Sequence, residues 1–106
     1  MLKTTYPGKI KPYIEAADHA LIFARQLGQQ GKPSDMMQTE KVSIIQSINE
    51  NIEIGWEGGV KMENIRNLAH SNIDIINIGT LISKSKNPAQ TYNDLLTESE
   101  KNGVLI

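Results

Sequence analysis

Residues 52–60 read IEIGWEGGV. Apolar side chains alternate at Ile52, Ile54 and Trp56, the period of a β-strand, and the alternation stops at Glu57-Gly58-Gly59. A carboxylate at the mouth of a strand is costly to desolvate unless something there uses it. Two consecutive glycines leave the backbone N–H groups bare, so another group can approach them closely. The stretch predicts a buried strand that opens into a binding turn.

The neighbouring segments say what kind of sheet holds it. Downstream, KMENIRNLAHSN sets Met62, Ile65, Leu68 and Ala69 on one helical stripe, and IDIINIGT is a second strand running into Gly79-Thr80. Asn87-Pro88 then supplies an N-cap and first-turn proline for a last helix. Ala89, Tyr92, Leu95 and Leu96 are expected to face inward there, with Gly103 as its stop. Upstream, MMQTEKVSIIQSI places Val42, Ile45 and Ile48 on one helical face, with Met37 and Ile44 beside it and Ser34 or Asp35 as N-cap. HALIFARQL carries a continuous apolar run from Ala20 to Ala24, the pattern of a strand covered on both faces, and leads to Gly28 and Gly31. KIKPYIEAAD reads as a short helix with Pro12 in its first turn, and MLKTT as the tail of another strand cut off at Pro7-Gly8.

Strands alternating with helices imply right-handed βαβ units and a parallel sheet, either doubly wound or part of a barrel. In both arrangements ligands sit at the carboxyl ends of the strands. Three strands end in glycine there: Gly28 with Gly31, Gly58-Gly59, and Gly79-Thr80. Their N–H groups and the Thr80 hydroxyl suit an anion such as phosphate. The competing use of the same glycines is tight packing of the βα turns.

Bulk properties narrow the class further. One domain at most fits in 106 residues, and a formal net charge of −1 argues against a dedicated nucleic-acid binder. With no cysteine, disulfides, thiolate metal sites and cysteine nucleophiles are excluded. The opening MLKTTYPGKI lacks an apolar core of signal-peptide length, and no run approaches the roughly 20 apolar residues of a membrane span. A cytoplasmic chain with no membrane partner is expected.

The run IEIGWEGGVKMENIRNLAHSNIDIINIGTLISKSKNPAQTYNDL resembles the last two βα units of the ribulose-phosphate 3-epimerase family. That family has a strand ending in Asp-Gly-Gly-Val, a helix with an early asparagine, and Gly-Ser or Gly-Thr before the closing helix. IKPYIEAADHALIFARQLGQQGKPSD resembles its sixth strand with the flanking helix and glycine loop, and LKTTYPG the end of its fifth strand. The resemblance implies that residues 1–106 are a single partial domain, the C-terminal half of a (β/α)₈ TIM barrel. It implies proton abstraction and return at C3 of ribulose 5-phosphate or a related ketose phosphate, through an enediolate held by a divalent metal. Glu57 would be both catalytic acid/base and metal ligand, and Gly28 or Gly31, Gly58, Gly59, Gly79 and Thr80 would bind the phosphate. It further implies an isomerase of carbohydrate metabolism, in the pentose phosphate pathway.

Two departures from the family pattern qualify those expectations. Glu57 stands where the family has aspartate, one methylene farther out. The first four strands of the family barrel, which hold a serine, two histidines and the other acid, have no counterpart, since a full barrel takes about 200 residues or more. A truncated frame, a fragment or one half of a split enzyme would explain this, completed by a second copy or a complementary N-terminal half-barrel. The alternative is a non-catalytic phosphate-binding half-barrel or a remnant that self-associates. His19 and His70 read more simply as surface and helix-terminal residues, and Arg25, in the first strand region, could help bind phosphate at the strand ends, with ion pairing as its commoner use.

Overall fold

The strand at the centre forms where the alternation ends. In the computed structural model, which describes residues 1–26, 28 and 32–106, β2 spans Glu53–Glu57. It is flanked by β1 (His19–Phe23) and β3 (Ile75–Asn77), in the spatial order β1-β2-β3 with both pairings parallel. The register sets Phe23, Glu57 and Asn77 side by side, so all three strands deliver their carboxyl ends to one edge.

The helices are α1 (Lys11–Ala16), α2 (Glu40–Ile48), α3 (Asn64–His70), α4 (Thr80–Ser83) and α5 (Pro88–Asn102), with 3₁₀ turns at Pro7–Ile10 and Met36–Thr39. Ile22, Ile54, Trp56 and Ile76 project from one sheet face and are fully buried in a cluster with Ile14, Val42, Ile45, Ile65, Leu68 and Leu95 of the helices. Alternation sends His19, Leu21, Phe23, Glu53, Glu57, Ile75 and Asn77 to the opposite face, where each stays exposed or half-buried. The expectation that β1 is covered on both faces is therefore corrected. Its apolar run packs helices on one side only.

Local chemistry explains the helix ends. The Asp35 carboxylate accepts from the Met37 amide at 3.1 Å, making Asp35 rather than Ser34 the cap ahead of α2. Asn87 caps α5 by accepting from the Gln90 amide at 3.2 Å, and Gly103 ends that helix at φ 71°. Helix α5 is rotated from the expected face: Leu95 and Ser99 are buried, whereas Ala89 and Tyr92 are exposed, Tyr92 by 47%. Met37 also stands exposed instead of packing beside α2.

MLKTT is not a strand. Only Met1 follows the edge of β1, its amine donating to the Leu21 carbonyl at 2.6 Å and its carbonyl accepting from Phe23 at 2.8 Å. The chain then turns, and the turn is fixed by Lys41, just 9% exposed, whose ammonium donates to the carbonyls of Leu2 (2.7 Å) and Lys3 (3.1 Å). Burial, with the nearby charge of Lys3, holds the Lys41 pKa below its ordinary value against the opposing pull of Asp35. On the far edge, Leu105 makes a parallel bridge to Ile75 and donates to the Asp74 carbonyl at 3.1 Å. Among the described residues no helix is long and apolar enough to cross a membrane.

Candidate functional site at the strand ends

The carboxyl edge of the sheet opens into a cavity of about 270 Å³. Glu57, Gly58 and Gly59 line it from the end of β2, and Asn77, Gly79 and Thr80 from the end of β3. Arg25, just after β1, contributes the positive charge. Five of the seven were expected at the site from the sequence. Gly28 is exposed, has φ 83°, and is not among the residues lining the cavity. Gly31 lies outside the described residues.

The two central glycines have a packing role that is visible in the coordinates. A Cβ on Gly59 (φ 67°) would overlap the Lys32 carbonyl oxygen and come within 2.7 Å of Pro33 and Ser34 backbone atoms. A Cβ on Gly58 (φ 114°) would reach 2.9 Å from Arg25 Cγ. The Lys32–Ser34 backbone is pinned across them: the Ser34 amide donates to the Gly59 carbonyl at 3.1 Å, and the Ser34 hydroxyl to the Gly58 carbonyl. Trp56, on the buried face, sends its indole N–H to the same hydroxyl at 3.3 Å. Both carbonyls of the pair are thus engaged, and this fixes the direction of the turn.

The amides remain open. No acceptor among the described residues takes the N–H groups of Gly58, Gly59, Val60, Gly79 or Thr80, and all five residues line the cavity. Gly79 needs no positive φ, and a Cβ there would meet nothing within 4 Å. Its lack of a side chain leaves open space at the cavity wall. Arg25 forms no ion pair with any described residue. Unpaired amides, a hydroxyl and a guanidinium around one hollow make an environment for an oxyanion.

Asn77 is the polar lining residue that sequence reasoning passed over, and Arg25, for which an ion pair was the commoner expected use, also lines the cavity. Asn77 was legible in principle as the last strand residue before Ile78-Gly79, one register step from Glu57. His19 lies at the opposite end of β1, its ring 2.8 Å from the Glu53 carboxylate and folded over Gly55. It belongs to no site at the carboxyl edge.

Among the described residues, Glu57 is the one carboxylate lining the cavity, and no group of three or more His, Cys, Asp or Glu is placed to hold a cation.

Fold and site together define a small α/β domain with a three-stranded parallel sheet and an anion-suited cavity at its carboxyl edge. Residues 29–88, more than half of the chain, match the family described as quinolinate phosphoribosyl transferase, C-terminal domain, and the chain belongs to that family. Among curated proteins no match to the chain is found.

The family match overturns the resemblance to ribulose-phosphate 3-epimerase. With it go the proton transfer at C3 of a ketose phosphate and the readings as isomerase, carbohydrate-metabolism and pentose-phosphate protein. The features behind that resemblance are a Gly-Gly turn after one strand and a Gly-Thr turn after the next, and such glycine turns at strand ends occur on many parallel sheets. They do not specify a reaction.

Proposed function

We propose that this chain holds the phosphoryl end of a phosphoribosyl ligand, as part of a phosphoribosyl transferase of the quinolinate type. The observation that carries the reading is that the amides of Gly58, Gly59, Val60, Gly79 and Thr80, all residues lining one cavity, meet no acceptor among the described residues. The family description supplies the ligand class. The amides and the Thr80 hydroxyl donate to the phosphoryl oxygens, and Arg25 offsets their charge. Glu57 and Asn77, on the same wall, accept from ribosyl hydroxyls. Residues 1–106 act here as one partial domain, a segment of a (β/α) barrel. Strands in sequence order with helices packed on one face are the arrangement such a segment requires.

Calorimetric titration with ribose 5-phosphate and, separately, ribose tests the reading. Binding of the phosphate ester without binding of the free sugar is expected. Thr80→Val removes one hydrogen bond to a charged group, roughly 1.5–3 kcal/mol, and so weakens binding about tenfold to a hundredfold. Equal affinity for the two sugars, or binding of neither, refutes the assignment.

A further inference from the structure

Two consecutive carbonyls of the central turn accept from a single residue. Ser34 donates its hydroxyl to the Gly58 carbonyl and its amide to the Gly59 carbonyl, the second at 3.1 Å. Successive carbonyls of a strand point to opposite sides, so one residue reaches both only where the chain leaves that conformation. Gly59 leaves it at φ 67°, in the left-handed region, where neighbouring peptide planes face the same way. A trans peptide carries its N–H opposite to its C=O, and both bonds here are trans. The Gly58 carbonyl shares its plane with the Gly59 N–H, and the Gly59 carbonyl with the Val60 N–H. Drawing both carbonyls to Ser34 therefore turns both N–H groups away from it, on residues that line the glycine cavity. The hydroxyl is itself fixed. The Trp56 indole, a donor only, reaches it at 3.3 Å from a fully buried ring, which leaves the hydroxyl hydrogen for Gly58. The next amide along, that of Asp35, donates to the Ala24 carbonyl at 2.6 Å and holds this segment against the end of β1.

We infer that Ser34 is the positioning residue of the cavity, aiming the amides of Gly59 and Val60 as a pair, with Trp56 setting its hydroxyl. What the aimed amides hold rests on the reading of the cavity as a phosphoryl site. The two bonds have separable duties. Without the hydroxyl, the Gly58–Gly59 peptide plane is free to turn, because glycines at φ 114° and φ 67° flank it and offer no side chain to resist. The Gly59–Val60 plane keeps its bond to the Ser34 amide and moves less.

Amide NMR of the full chain, free and with ribose 5-phosphate, tests it on Ser34→Ala, Ser34→Thr and Trp56→Phe. In free Ser34→Ala the Gly59 amide should shift most and Val60 less, while Gly79 and Thr80 stay in place. Ribose 5-phosphate should bind that variant about tenfold more weakly. Ser34→Thr keeps the hydroxyl and should restore both the resonances and the affinity. Trp56→Phe keeps a ring but loses the donor, and should displace the same Gly59 amide. A purely structural role for Ser34 would lower the urea midpoint and leave the Gly59 amide unmoved, and that result overturns the inference. So does a Ser34→Ala variant that binds as tightly as the unmodified chain. If Ser34→Ala does not fold, Trp56→Phe decides on the same resonance, shifted or unmoved. Failure of the unmodified chain to bind ribose 5-phosphate would refute the phosphoryl reading alone, since the free-chain resonances still decide the role of Ser34.

Discussion

Replacing Gly59 by alanine separates the two duties of the central turn. At φ 67° the new side chain enters the left-handed region, which costs a non-glycine residue about 1–2 kcal/mol. Its Cβ would also collide with backbone at Lys32, Pro33 and Ser34, atoms that no rotamer change can move. Relief requires the segment to lift away, breaking the two bonds that Ser34 makes to the Gly58 and Gly59 carbonyls. At about 0.5–1.5 kcal/mol each these add roughly 1–3 kcal/mol. The total, about 2–5 kcal/mol, is a large part of the roughly 5–15 kcal/mol by which domains are stable. Gly103→Ala serves as the control, because φ is 71° and a Cβ meets nothing within 4 Å, leaving only the first cost. Gly79→Ala has neither cost and should be neutral or slightly stabilising. Urea unfolding followed by circular dichroism gives the three differences. A Gly59→Ala variant no less stable than Gly103→Ala would refute the packing role of that glycine.

Three further outcomes follow from particular contacts. Asn87→Ala removes the acceptor for the Gln90 amide and should destabilise by about 0.5–2 kcal/mol, with fraying confined to the start of α5 in hydrogen exchange. Trp56→Ala empties a fully buried site and unties the Ser34 hydroxyl, at about 3–5 kcal/mol in urea melts. Burial pushes the Asp35 carboxyl up, but hydrogen bonds from Gln38, Lys3 and the Met37 amide, with the charge of Lys3, outweigh it and hold the pKa below 3.8. The resulting stabilisation is present above the unfolded value near 3.8 and is lost as pH falls through the lower folded value, so Asp35→Asn should flatten the acid limb of a stability–pH profile.

The fold was largely legible because its signals are local. Period-two alternation placed β2, helical stripes placed α2 and α3, and Asn87-Pro88 and Gly103 marked both ends of α5. What stayed hidden depends on tertiary partners. Tyr92 sits on an apolar stripe yet faces outward, since α5 turns Leu95 and Ser99 to the core. The uncovered face of β1 could not be read from its own apolar run. At the cavity, Gly58, Gly59, Gly79 and Glu57 were placed at strand ends by spacing, while Asn77 joins them only when the strand ends are brought into register. The reaction class was misassigned because glycine turns at strand ends carry no record of the bond being broken.

Amide-resolved NMR titration with ribose 5-phosphate, repeated on Gly79→Ala, tests the central claim most directly. The account predicts saturable shifts at the amides of Gly58, Gly59, Val60, Gly79 and Thr80, and weakened binding without loss of stability in the variant. Shifts scattered over the surface, or an unchanged affinity in Gly79→Ala, would contradict it.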